Sequence, residues 1–516
     1  MIGGPAEIAY SWAMRLARGR TFAAAFGMAA VLCAARAPGQ SDSLAAQSQR
    51  AHELMAAGQF DRAAAVYQRL AQALPGNAGL AFDLGVALHM AGREGEAVKA
   101  LRRSLELDRS STPARLYLAD AYLSMGQEAP AVPLLQSVLK AAPENVHARQ
   151  NLAAALLDLG HPGAAAEEYR RLVAGGPGSP QAWYGLGRSY AALAQQAFDR
   201  LGRAAPGSAY WLALVADSRA KAGQLSGAFY LYRQALAKMP SLAGAHAAVA
   251  AIYRQSGHPA WAATEEALER ALPPPSCAQQ PLACEYRAGR YDRIIAAGAA
   301  TPTGLYWRSR AANRLALAAF AHLADFPNSA EHHELLATLH ANALDYKQAA
   351  AEWQQAYELS GHDPAIGAQL ATSWMQLHDF AAAEPLLEDL RRRHADTAQL
   401  DFLLGYLRLQ QQQPKRAIPL LEASLHADPR RAEGQRALAE AYLETGAPRR
   451  AIPHLLAALP EDDDGSLHYQ LARAYQANGE PERAAAALRE YQRLHQSAEA
   501  AKQAAQSQLR ISPPRS

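Results

Sequence analysis

From residue 44 onward the sequence repeats itself every 34 residues, and this period constrains the fold more than any other feature. In unit 44–77 the recurring positions are Ala51, Gly58, Ala63, Tyr67 and Pro75. In unit 78–111 they are Leu84, Gly85, Leu88, Gly92, Ala97 and Leu101. Unit 112–145 supplies Leu118, Ala119, Tyr122, Gly126, Ala131, Leu135 and Pro143, and unit 146–179 supplies Leu152, Ala153, Leu156, Gly160, Ala165, Tyr169 and Pro177. Apolar residues three and four apart put one stripe on each of two helices. The small residues let the two helices approach. The Gly between them ends the first helix in a backbone conformation that other residues resist, and the Pro ends the second. A single hairpin of this kind cannot bury its apolar face, so the units must stack.

The pattern resembles the tetratricopeptide repeat family. Its fullest signature, W-x2-L-G-x2-Y, occurs as Trp183, Leu186, Gly187 and Tyr190. In-phase matches continue through Ala216, Gly223, Ala228, Tyr232 and Pro240, then Tyr253, Gly257 and Ala262. They resume at Ala337, Ala349 and Trp353; at Leu404, Gly405, Ala417 and Pro429; and at Leu438, Tyr442, Gly446 and Ala451. The last are Leu471, Ala472, Tyr475, Gly479 and Ala484. The resemblance implies an all-α, right-handed superhelical solenoid of helix-turn-helix units that leaves no room for a second large domain.

Three stretches depart from the period. Trp183–Tyr190 runs to Pro206 in five residues fewer than expected and lacks the inter-helix Gly, and Tyr306 runs to Pro327 in the same shortened way. Each short unit precedes a full one, at 209–242 and about 330–363, which reads as duplication of a two-unit block. The third is Leu272–Thr301, where Pro273, Pro274 and Pro275 stop a helix and a degenerate hairpin follows around Tyr286–Ile295. The expected organisation is therefore an N-terminal array over 44–272, an irregular junction over 273–301 and a C-terminal array over 302–495. The junction reads as a hinge between lobes or as a surface loop within one superhelix. Residues 496–516 read as a polar capping helix and a disordered tail, with Ser512, Pro513 and Pro514 ending order.

Ahead of the repeats, Arg15, Arg18 and Arg20 precede an apolar run over 22–35, broken only by Gly27. The run is short for a membrane span and suits the apolar core of a secretory signal in residues 1–39. Ala35-Arg36-Ala37 has the form of a cleavage site, although Pro38 would follow the cut; cleavage after Gly39 is the alternative. Leu32 before Cys33 argues against lipidation, and an uncleaved anchor is the competing reading. Residues 1–13 look unlike the start of a signal, so Met14 is an alternative first residue. The expected location is outside the cytoplasmic membrane, periplasmic or beyond, with the membrane touched only through an uncleaved signal. Taking the four Arg and Glu7 of residues 1–39 from 51 basic and 48 acidic residues leaves 47 of each. Such a balance argues against a nucleic-acid or anionic-membrane partner.

Little in the chain suggests chemistry. His333-Glu334 begins a zinc-protease pattern, but the second ligand position is Ala337. His332, His333 and His340 read as polar helix surface. Glu461, Asp462, Asp463, Asp464 and Gly465 resemble a calcium loop in composition only and read as helix capping and a solvated turn. No phosphate loop or nucleophile elbow occurs. The expectation is a non-enzymatic chain that needs neither cofactor nor metal.

Three cysteines exclude a disulfide-scaffold fold and a metal centre that draws four thiolate ligands from one chain. Of these, Cys277 and Cys284 follow the signal and are disulfide candidates, as a structural clip or a redox switch. A bridge over so short a loop contributes about 2–3 kcal/mol if unstrained.

What remains is surface. The resemblance implies that the first helix of each unit lines a concave groove for a partner protein or peptide. Groove-facing residues would be Tyr184, Arg188, Tyr210, Asp217 and Arg254 in the first array, and Phe402, Tyr406, Arg436, Tyr469 and Arg473 in the second. An aromatic beside an Arg can bury area and hold a carboxylate. The family's carboxylate-binding subset uses several Lys and Asn at fixed positions; only Asn151 fits. The expected role is an exported scaffold for protein–protein interaction. Alternatives are an accessory of an envelope polysaccharide or secretion machine with a carbohydrate ligand, and an enzyme improvised on the helices. Oligomeric state is left open.

Overall fold

The computed structural model describes residues 38–174, 178–298, 300–393, 398–508 and 511–514. The candidate signal in residues 1–39 lies outside them except for Pro38 and Gly39, and no helix of the described residues is long and apolar enough to cross a membrane. Every regular element among the described residues is helical. Consecutive helices pack in pairs: Pro38–Ala56 with Phe60–Ala73, Ala78–Met90 with Glu94–Leu107, Thr112–Ser124 with Glu128–Ala141, and Val146–Asp158 with Pro162–Ala174. Later pairs include Ala209–Lys221 with Leu225–Lys238 and Ala245–Gln255 with Pro259–Ala271. The series goes on through Pro364–Gln376 with Phe380–Arg393, Ala398–Gln410 with Pro414–Ala427, Ala432–Glu444 with Pro448–Ala458, and Ser466–Ala477 with Pro481–Gln508.

The period has a local cause at each corner. Asn77, Ser111, Asn145 and Ser179 stand 34 residues apart, and each side-chain oxygen accepts the backbone N–H three residues on, at 3.1, 3.3, 2.9 and 3.2 Å. These caps satisfy one orphan donor at the start of each first helix. Between the paired helices, Gly58, Gly92, Gly126 and Gly160 turn the chain with φ from 66° to 75°. The small position of the second helix, from Ala63, Ala97, Ala131 and Ala165 to Ala349, Ala383, Ala417 and Ala451, is fully buried throughout.

Where the Gly is missing, the chain does not turn. Ala194 stands where the next Gly is due, and the short unit is one helix, Pro180–Ala204; Ser208, capping Trp211 N at 3.2 Å, restarts the register. The second short unit is likewise one helix, Pro302–Ala321, ending in the 3-10 turn His322–Asp325.

The later array hides the same corner. Leu344, His378 and Gln412 lie 34 residues apart, in step with Gly446, and have φ of 61°, 57° and 58°. All three are exposed. A left-handed backbone costs such residues about 1 kcal/mol, partly offset in Gly by its looser unfolded state. Replacing all three with Gly is expected to raise stability by about 1–2 kcal/mol in a urea melt; a loss of stability would show that these side chains hold the corners.

The described residues form two compact units. One is 38–193 with Leu315–His332; the other is Ala194–Arg314 with the residues from His333 onward. In the first, Ala63, Tyr67, Ala97, Leu101, Leu118, Leu135 and Leu152 belong to one core. The second has separate cores around Leu201–Ala311, Ala337–Leu407 and Leu409–Ala487. The stretch 273–301 falls inside the second unit. Its two helices, Pro281–Arg287 and Tyr291–Ala296, have 7 and 6 residues, and they bury only Ala283 and Ile294. Helices this short contribute little beyond their packing. Their amides are expected to exchange faster than those of Leu225–Lys238; equal protection in hydrogen exchange would contradict this.

At the far end the last helix, Pro481–Gln508, runs unbroken into the polar stretch beyond residue 496. Beyond it the disorder expected from Ser512 gives way to contact: Ile511 packs against the core that contains Tyr253, and Ser512 accepts a hydrogen bond from that tyrosine. The packing of this apolar side chain holds the segment in place although Pro513 and Pro514 prevent helix.

Candidate functional site

In the first unit, the helices that open successive pairs bring polar and aromatic side chains to adjoining turns. Phe82 and Tyr117 meet edge to face at 5.6 Å. Asp120, buried, accepts a hydrogen bond from Asn151 Nδ2 at 2.7 Å and sits 3.1 Å from His147 Nε2. The hydrogen bond to Asp120 holds the His147 imidazolium above its ordinary range, against the opposing effect of burial. Asn151, the one residue that fits the family's carboxylate-binding set, thus bonds to an acid within the protein. Sequence reading missed Asp120 and His147, which lie 27 residues apart on the first helices of successive units and carry no recurring signal.

Tyr184 and Arg188 do come together, the guanidinium lying 5.5 Å from the ring centroid. Tyr184 also lies 6.0 Å from Phe320, and Trp183 stacks on His322 at 3.8 Å. Gly187 of the fullest repeat signature has a direct steric purpose: a Cβ there would overlap the Phe320 ring.

The second unit gathers an aromatic cluster around Arg310, which sequence reading did not single out. Its guanidinium lies 5.2, 5.4 and 5.8 Å from the rings of Tyr286, Tyr306 and Trp307, and its Nη1 donates to Tyr306 Oη at 2.7 Å. Tyr210, a candidate groove residue, joins at 4.9 Å from Tyr306. Burial pushes the Tyr306 hydroxyl up to about 12, so it remains a donor at neutral pH. Asp217, another candidate, accepts a hydrogen bond from Tyr232 within the cluster's flank. Both therefore have internal structural partners. Arg254 is exposed and pairs with Glu266.

The later candidates are more open. Phe402 and Tyr406 stack at 6.0 Å with 19° between planes, and Arg431 lies 5.1 Å over Phe402. Tyr406 is 37% exposed and Tyr469 is 46% exposed. Arg436 and Arg473 are exposed. Tyr469 and Arg473 line one shallow open depression with Asp464, Gln470, Tyr491 and His495. Tyr469, Tyr491 and His495 form a continuous ring surface, with centroids 5.3 Å apart in each step.

Cys277 and Cys284 are joined by a disulfide with Cα atoms 5.6 Å apart. Asp462 caps helix Ser466–Ala477, accepting Leu467 N at 3.1 Å and His468 N at 2.9 Å, which accounts for the acidic run. His333 pairs with Glu352 at 2.6 Å. Among the described residues no three His, Cys, Asp or Glu converge as a metal-ligand set.

Paired helices on a 34-residue register, with small residues at every close approach, define a helical repeat protein. Tetratricopeptide-repeat models match residues 48–112 and 369–417, 129–188 and 408–469, and 467–497. The chain belongs to the tetratricopeptide repeat proteins. No curated protein matches its sequence. Solved structures titled "MamA MSR-1 C2" and "MamA 41-end from Desulfovibrio magneticus RS-1" share 22% and 19% identity with it. Each covers 33% of this chain, and 98% and 96% of its own, with a TM-score of 0.30 in both cases. Likeness at this level says nothing about partner or function.

Proposed function

We propose that this protein is a non-catalytic scaffold that holds a partner protein or peptide on the first helices of its units. The observation that carries the reading is the exposed aromatic–cation surface of the later repeats. There Tyr406, Tyr469 and Arg473 remain open to solvent, while equivalent groups in the core are satisfied internally. Tyrosine supplies contact area at small entropic cost, and arginine can hold a carboxylate with two parallel hydrogen bonds. A crosslinking pull-down with the wild-type chain and with Tyr406→Glu and Arg473→Glu tests this. Loss of the same captured protein in both variants, with unchanged helicity, is expected; undiminished capture would overturn it.

The scaffold works outside the cytoplasmic membrane in this reading. The Arg-led apolar run supports export, and the Cys277–Cys284 bridge suits an oxidising compartment. Mass spectrometry of the native protein is expected to find a new N-terminus between residues 37 and 41. An intact Met1 or Met14 on cytoplasmic protein would overturn it.

A further inference from the structure

The hairpin Ala245–Gln255 with Pro259–Ala271 is followed by an unusually small neighbour. Pro273, Pro274 and Pro275 prevent helix from continuing, and the next two helices have 7 and 6 residues where full units have 13 or 14. Such a hairpin covers only part of the face that a full unit would cover. Pro259–Ala271 buries only Ala262 and Glu265, against three residues in Glu128–Ala141, Phe380–Arg393 and Pro448–Ala458 and six in Leu225–Lys238. The segment Ile511–Pro514 packs on the core to which this hairpin belongs. Ile511 is half-buried against the core holding Phe229, Tyr253 and Ala262, and Tyr253 Oη donates to the Ser512 carbonyl at 2.6 Å.

This hydrogen bond differs in kind from those of the buried Tyr232 and Tyr442. Tyr232 donates to Asp217 and Tyr442 to Glu422, both acids fixed within the array. Tyr253 instead donates to a main-chain carbonyl 259 residues away in sequence. A free carbonyl acceptor excludes the interior of a helix, where carbonyls are already engaged. Ser512 precedes a proline and is biased to extended geometry, while Pro513 and Pro514 have no N–H and favour the polyproline conformation, which leaves carbonyls free.

We propose that the face containing Phe229 and Tyr253 is a binding site for an extended segment of the type apolar–Ser–Pro–Pro, and that the chain's own Ile511–Pro514 fills it in cis. Ile511 provides the apolar anchor and Ser512 the acceptor. A partner segment of the same chemistry gains access only by displacing the internal one. The site is independent of the groove surface at Tyr406 and Arg473, and its test uses the purified chain without any partner.

The test uses the full chain and a fluorescein-labelled synthetic peptide of residues 507–516. Ile511→Asp in the protein releases the internal segment without touching a helix, and circular dichroism checks that the fold is retained. The labelled peptide is expected to bind the Ile511→Asp protein at least tenfold more tightly than wild type, because the wild-type site is already filled. Adding Tyr253→Phe to that protein should weaken the peptide several-fold, and a peptide carrying Ile511→Asp should bind neither protein. As a second measurement, a photo-crosslinker in place of Ile511 should join, within one chain, a fragment containing Phe229 or Tyr253. Equal binding to wild type and Ile511→Asp, binding to neither, or crosslinks elsewhere or between chains would overturn the proposal.

Discussion

Ala417→Leu is expected to destabilise the unit it belongs to by about 2–3 kcal/mol, whereas Tyr406→Glu changes the melt by less than about 1 kcal/mol. Ala417 has no exposed surface and sits in the helix Pro414–Ala427, whose Leu421 already presses on the facing helix. A Cβ on Gly405 of that facing helix would lie 2.7 Å from Leu421 Cγ, so the two backbones are as close as side chains allow. Three added carbons at Ala417 must displace Leu421 or part the helices, and either loses close packing along the whole contact. Tyr406 stands on the other face of Ala398–Gln410, over a third exposed, with Phe402 stacked on it. A carboxylate there stays hydrated. Urea melts separate the two variants. Wild-type stability in Ala417→Leu, or collapse of Tyr406→Glu, would mean that the helix faces are reversed.

The repeat register is legible in the sequence because its causes are local. A capping Asn or Ser, a Gly at the turn and an Ala at the contact each act within a few residues, so their 34-residue recurrence carries directly into structure. Legibility fails where a corner keeps its geometry but loses its residue type. Leu344, His378 and Gln412 adopt the glycine conformation under the demand of packing on both sides, and nothing in their chemistry announces it. It fails again where an absent Gly looks like a shortened hairpin and proves to be a single helix, Pro180–Ala204. The candidate surface divides in the same way. Tyr406, Tyr469 and Arg473 are exposed, as their place on first helices implies. Tyr210 and Asp217 are drawn into contacts with Tyr306 and Tyr232 that depend on how separate helices meet, and Arg310 is enclosed by rings from two elements. The Tyr253–Ser512 bond lies furthest from sequence reasoning, since no local rule links residues 259 apart.

Asp363→Asn is expected to make the protein more stable at pH 7, by up to about 3 kcal/mol, and to remove a pH dependence from the wild type. Asp363 caps the helix Pro364–Gln376, its Oδ1 accepting Ala365 N at 2.8 Å and Ile366 N at 3.2 Å. It is also 7% exposed. Burial penalises the carboxylate more than the two N–H donors favour it, and the pKa rises from 3.8 to about 6. The folded state therefore holds this proton more tightly than the unfolded chain does. Its contribution to stability is fully present below about pH 4 and is lost as pH rises through about 6, the reverse of a salt-bridged aspartate. Asparagine caps a helix as well as aspartate and can accept the same two hydrogen bonds without a charge to desolvate. It forfeits only the attraction of an anion to the helix N-terminus, about 0.3–1 kcal/mol. Melts of both proteins at pH 4, 5, 6 and 7 isolate the effect, since every other titrating group is common to the pair. The stability difference should be near zero or slightly against the variant at pH 4 and should grow in its favour up to pH 7. A difference that stays constant with pH, or a variant less stable at pH 7, would show that the two backbone donors outweigh burial and that Asp363 is ionised in the folded protein well below pH 6.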